Sequence, residues 1–209
     1  MGWSVRIWYM SGHTTKQRAV SRTLCVIGYL LVATGLPAQT QPDRNSEPHE
    51  IQLTGQGLLV LDTPKGWQRT EGPGIATFVK KGARLEKADV WIYVSGTPIG
   101  PSEEVKSRDE YIESDAVDFR ARFKNGTVKI EEPLPLPNAK TSAPVRTFES
   151  AESHNSFEQV VYIAEQTRIL TFVLSAKTRK AYAASLPVFH EFAQSYNGSI
   201  VTSPDPTHP

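Results

Sequence analysis

The fold turns on the stretch FEQVVYIAEQTRILTFVLSAKTRKAYAASLPVFHEFAQSY, residues 157–196. Residues 157–164 and 168–175 are dense in Val, Ile, Tyr, Phe and Thr, which suit a pleated, half-buried surface. The link Glu165-Gln-Thr167 is short and polar, so the two segments pair most simply as an antiparallel hairpin. Alternation sets Leu170, Phe172 and Leu174 on one face, read here as the core face, and Ile169, Thr171 and Val173 on the other. Thr178 then offers a helix N-cap. Tyr182, Leu186, Phe189, Ala193 and Tyr196 recur at helical steps and form one apolar stripe. Asn197-Gly198 is a stop signal. Pro187 lacks a donor N–H and predicts a kink or a fresh helical start. A helix this apolar on one side must cover something, and the hairpin's apolar face is nearest.

Upstream of the hairpin, residues 58–61, 75–79 and 88–94 read as strands. The third alternates clearly, with Val90, Ile92 and Val94 opposite Trp91 and Tyr93. Gly96 to Pro101 breaks it. Ser102 is then read as the start of a helix, with Glu103 and Glu104 in the first turn, where the dipole favours negative charge. Val105, Ile112, Ala116, Phe119 and Phe123 would be its apolar stripe, and Asn125-Gly126 its end. Residues 127–130 and 145–148 are further strands. Pro133, Pro135 and Pro137 read as a stiff connector without usable ladder donors. Strands, helix, strands, helix is the order of one α+β domain with a mainly antiparallel sheet and two principal helices, spanning 57–201.

The ends of the chain differ from this middle. Arg6, Lys16, Arg18 and Arg22 precede the apolar run 24–36, and no acid occurs before Asp43. Basic, apolar, then the small-residue exit Pro37-Ala38 is the layout of a secretory signal, assigned to 1–38. The run falls short of the roughly 20 apolar residues of a membrane span; the alternative is an uncleaved anchor. Met10, taken as the start, gives a more usual signal length. Residues 39–56 read as a flexible leader and 202–209 as a disordered tail. Cys25 lies at the start of the apolar run, where a lipoprotein cysteine would not, and cleavage at Ala38 leaves no cysteine in the remaining 171 residues. Cleavage removes four of 23 Lys and Arg and leaves 19 against 22 acids, near −3. That excludes the strongly basic footprint of a nucleic-acid binder.

Several of these features together resemble a known family. A strand leading into Thr63-Pro-Lys-Gly-Trp67, a strand like 90–94, a long helix, a hairpin, then Leu186-Pro-Val-Phe189 through Ser195-Tyr196 is similar to the PsbP-like and DcrB-like superfamily of small α/β sandwich domains. The likeness covers about residues 58–200. It implies an accessory or binding protein, often exported and in some members docked on a large complex. It implies no common catalytic site, so no functional residue is carried over. The Lys65-Gly66-Trp67 corner matches best.

Reactive chemistry is sparse. Nucleophilic hydrolysis needs a Ser or Cys, a base and an orienting acid within reach, and no Gly-x-Ser-x-Gly elbow occurs. Ser153-His154 is the sole Ser–His neighbour pair and sits in a polar turn. His49, His154, His190 and His208 are scattered and do not make a metal-ligand spacing. The acid row Asp109, Glu110, Glu113, Asp115 and Asp118 reads as a solvated helix face. Gly55-Gln-Gly57 and Gly96 to Gly100 read as turns rather than phosphate loops. Lys80, Lys81, Arg84 and Lys87 are the densest basic stretch and read as a charged strand connection. Asn125-Gly-Thr127 and Asn197-Gly-Ser199 are glycosylation sequons that also fit turns.

Two readings follow. The first is an exported, non-catalytic binding or accessory protein with a protein or small-molecule partner in the envelope, needing no cofactor or metal. Its candidate binding residues are Lys65, Trp67, Trp91 and Tyr93. For the aromatics, core packing competes with a docking surface, since exposed aromatics are enriched at interfaces. The second is a small secreted hydrolase using Asp or Glu with His190.

Overall fold

The computed structural model describes residues 49–52 and 58–200, with side chains for 59–198. The signal assigned to 1–38, most of the leader and the tail lie outside those residues. All described residues fall in one compact unit. Its strands are β1 (His49–Gln52), β2 (Leu58–Leu61), β3 (Trp67–Thr70), β4 (Ala76–Lys80), β5 (Val90–Pro98), β6 (Thr127–Leu136), β7 (Thr141–Glu149), β8 (Phe157–Ala164), β9 (Arg168–Ala176) and β10 (Ser199–Ile200). Its helices are α1 (Arg108–Arg122) and α2 (Arg179–Gln194). Seven strands form one antiparallel sheet in the order β3-β4-β5-β9-β8-β7-β6, and β1, β2 and β10 form a small second sheet. This is a single α+β domain with two principal helices.

The hairpin read from the sequence is the heart of the large sheet. β8 and β9 pair from Phe157↔Ala176 to Ala164↔Ile169, and the Glu165 N–H donates to the Arg168 carbonyl at 2.8 Å to close the turn. α2 lies on the Leu170, Phe172 and Leu174 face. Phe172 meets Phe192 at 5.4 Å and Tyr196 at 6.2 Å between ring centroids. Thr178 caps α2 by accepting from the Ala181 N–H. The Tyr196 hydroxyl, just past the helix, donates to Glu165 at 2.6 Å and ties that end to the hairpin turn.

The opposite face is buried as well. Ile169, Thr171 and Val173 are as enclosed as their neighbours. α1 lies on this side: Tyr111 meets Tyr162 at 6.2 Å, Phe119 meets Phe148 at 5.1 Å, and the Tyr162 hydroxyl donates to Asp115. Apolar residues on both faces of β9 belong to a sheet covered on both sides.

Several boundaries depart from the sequence reading. α1 begins at Arg108, not Ser102, because Ser107 is the cap: its hydroxyl accepts from the Glu110 N–H, and Glu110 accepts from the Lys106 N–H. This is close to a capping box. Val105 therefore precedes the helix. α2 runs unbroken through Pro187, so no new helix starts there. β5 continues past Gly96 to Pro98 and stays paired with β9. β6 runs through Pro133 and Pro135 with a register shift between Glu131 and Leu134; it is the outermost strand, where prolines are tolerated. The leader 39–56 contains β1, held in register on β2.

Candidate functional site

The corner around Lys65 is a tight turn. The Trp67 N–H donates to the Pro64 carbonyl at 2.9 Å, and Gly66 takes φ +81°, the positive value that favours glycine at the third turn position. Lys65 is exposed. Trp67 drops into the core beneath it, 3% exposed. Trp91 and Tyr93 share the α1-side face of β5 and are 7% and 8% exposed. The structure does not bring the four residues together, and no open aromatic surface forms from these rings. The reason is the two-sided burial: the face opposite Val90 and Ile92 is itself interior.

His190 stands on α2 above β8. Its Nε2 lies 2.6 Å from Gln159 Oε1, and Gln159 Nε2 donates at 3.4 Å towards both Thr147 Oγ1 and the Tyr182 hydroxyl. Thr147 and Tyr182 also meet at 3.4 Å. Burial holds the His190 imidazole below its ordinary 6.5 and raises the Tyr182 phenol. The partner is an amide, which neither gives nor takes a proton, so the Asp/Glu–His190 pairing that the hydrolase reading needs is not formed. This network satisfies polar groups under a helix. Ser153-His154 does not form a catalytic pair either. Ser153 Oγ accepts from the Asn155 N–H inside the turn, while His154 points to solvent.

One recess gathers charged and aromatic residues that the sequence did not join into a site. It has a volume of about 370 Å³ and lies where β6 starts, β7 ends and α2 begins. Asn125, Thr127, Glu149, Ser156, Phe157 and Arg179 line it. Glu149 takes Lys129 on Oε1 at 3.3 Å and Arg179 on Oε2 at 2.9 Å. The Arg179 guanidinium lies 4.8 Å from the Phe157 ring centroid, a cation–π distance. Asn125 Nδ2 donates to Glu152 at 2.7 Å across the rim. Arg179 is the first residue of α2, so the helix cap at Thr178 places it. A larger recess of about 570 Å³ beside the Gly72 to Gly74 turn holds no comparable convergence of charge and ring. Arginine is always protonated and cannot relay protons. With Glu149 between two cations, the arrangement suits charge recognition rather than acid–base transfer.

Among the described residues no cluster of His, Cys, Asp or Glu could hold a metal ion, and no helix is long and apolar enough to cross a membrane. No family model and no curated protein matches the chain. Among solved structures, it is similar to the solution structure of cyanobacterial PsbP (CyanoP) from Synechocystis sp. PCC 6803, at 10% identity and a TM-score of 0.49, covering 77% of this chain and 96% of that one.

Proposed function

We propose that the chain is an exported, non-catalytic binding or accessory protein that meets its envelope partner at the Glu149–Arg179–Phe157 recess. One observation carries the site: the Arg179 guanidinium lies over the Phe157 ring and is tied to Glu149 while its side chain stays 67% exposed. A fork fixed in this way loses little freedom when it takes a carboxylate or similar anion. Export rests on the basic, apolar and small-residue sequence of the first 38 positions. Lys65 is the member of the expected binding set that remains available to a partner.

The test is retrieval from envelope extract by the immobilised chain, with Arg179→Ala, Phe157→Ala and Lys65→Ala beside it. Arg179 and Lys65 are exposed, so their variants should keep the wild-type Tm; Phe157 is half-buried against the core and the Tyr182 ring, so Phe157→Ala should lower the Tm and is compared below its own melting range. A species held by the wild type and lost from the Arg179 and Phe157 variants supports the recess. Equal retention by all variants removes it. Loss only from Lys65→Ala moves the contact to the turn at Gly66.

A further inference from the structure

We propose that the chain dimerises through β6, with residues 128–132 of two copies pairing antiparallel about a two-fold axis at Ile130. β6 closes one end of the seven-stranded sheet, so one side of its backbone has no strand beside it. An open edge is a template for another strand, and proteins normally blunt it with charge, proline or a bulge. Here the blunting covers half of the strand. The register shift and Pro133 and Pro135 interrupt the part from 132 onward. The part before them carries Ile130, 75% exposed.

The second exposed large hydrophobic among the described residues is on α1, the helix over this face of the sheet. Val117 is 58% exposed on α1, which packs on β6. Glu113, one turn before Val117, reaches Arg146 at 3.8 Å, and Arg146 is the cross-strand partner of Ile130. Ile130 therefore lies beside Arg146, on the α1 side of the sheet.

The occupant that fits this edge is a second copy of the chain, because the edge is complementary to itself. A two-fold at Ile130 sets Ile130 against its own copy and Lys129 against Glu131 of the second copy, twice over. Opposite charges directly across an antiparallel pair stabilise it, and like charges do the reverse. Alternation puts Lys129 and Glu131 on the face opposite Ile130, so charge and apolar contacts fall on separate sides. Pro133, without an N–H, ends the ladder. The same axis sets the two α1 helices antiparallel. The acidic first turn of each, with Asp109 and Glu110, then points towards the basic last turn of the other, with Arg120 and Arg122. A two-fold contact closes on itself, so the product is a dimer and not a fibre. The edge is short against the roughly 1,200–2,000 Å² of a stable complex, so association is weak and concentration-dependent.

Sedimentation or light scattering of the purified chain, from about 1 to 500 µM, reads the mass directly. The expected result is a monomer at the low end and a dimer at the high end. Lys129→Glu and Glu131→Lys each place like charges across the axis and should weaken dimerisation by about tenfold or more. The double swap restores opposite charges and should return it to near the wild-type value. Ile130→Glu, at an exposed position with no folding role, should abolish it. Circular dichroism and Tm confirm that each variant is folded. A chain that stays monomeric throughout, a dimer that the single swaps leave unchanged, a double swap that fails to recover, or growth beyond a dimer overturns the proposal.

Discussion

Phe172→Ala is the sharpest test of the architecture. Phe172 lies in β9, a central strand, with Val94 and Val161 as its cross-strand partners. It is fully buried and touches the rings of Phe192 and Tyr196 from α2 and its exit. Truncating a buried Phe to Ala costs about 3–5 kcal/mol through lost transfer energy and the cavity left behind. Each lost ring pair adds about 0.5–1.5 kcal/mol beyond its area. The site cannot collapse easily, because the sheet below is fixed by two ladders and the helix above is capped at Thr178 and tied down at Tyr196. The expected loss is therefore about 4–5 kcal/mol, near the upper part of that range. With a urea m-value of about 2 kcal/mol/M, the midpoint moves down by roughly 2 M. Urea titration followed by far-UV circular dichroism measures this, with Ile130→Ala as an exposed control that stays within about 0.5 kcal/mol. A loss under about 2 kcal/mol with an unchanged m-value would mean that α2 does not roof this face.

Three further outcomes follow from local geometry. Gly74 has φ +80°, and an added Cβ would sit 2.4 Å from the Val94 carbonyl oxygen, while Gly66 at φ +81° has open space around it. Gly66→Ala should cost about 1–2 kcal/mol of backbone strain, and Gly74→Ala clearly more, read as the difference between their thermal midpoints. Ser107→Ala removes the α1 cap and should cost about 1 kcal/mol in a urea titration; no change would place the helix start elsewhere. Burial depresses the folded-state pKa of His190, so the unfolded chain takes up that proton first. The contribution of neutral His190 is complete above about pH 6.5 and is lost as pH falls through the folded value. Tm should decline from pH 7.5 to 5, and His190→Gln should flatten part of that decline; an unaltered slope refutes the assignment.

How far the sequence discloses this fold depends on which physical signal each element carries. β8, β9 and α2 were legible because their periods of 2 and 3.6 run over long apolar stretches with a short polar link and a Thr cap. α1 was legible in its stripe but not its start. Ser102 followed by Glu103 and Glu104 imitates a helix N-terminus, whereas the true signal is Ser107 followed three residues later by Glu110. β3 was missed because Trp67-Gln-Arg-Thr70 offers one buried apolar residue and is held by pairing with β4. β6 was cut short because proline was read as ending a strand, a rule that relaxes on a sheet edge.

The same reasoning explains why the aromatics that the sequence singled out lie in the interior. Trp91 and Tyr93 were opposed to a core face, and opposition to the core means exposure only if one face of the sheet is wet. The sign of a sheet covered on both faces was present in β9, where Ile169, Thr171 and Val173 alternate with Leu170, Phe172 and Leu174 and neither set is charged. Two buried faces leave the rims as the places where polar side chains can gather. That is where Arg179, Glu149, Lys129 and Phe157 meet. They come from the first residue of a helix, two strands and the start of a third, 50 residues apart from Lys129 to Arg179, so no spacing in the chain announces them. In a sandwich of this kind, spacing reveals the interior, and topology decides which charged residues share a rim.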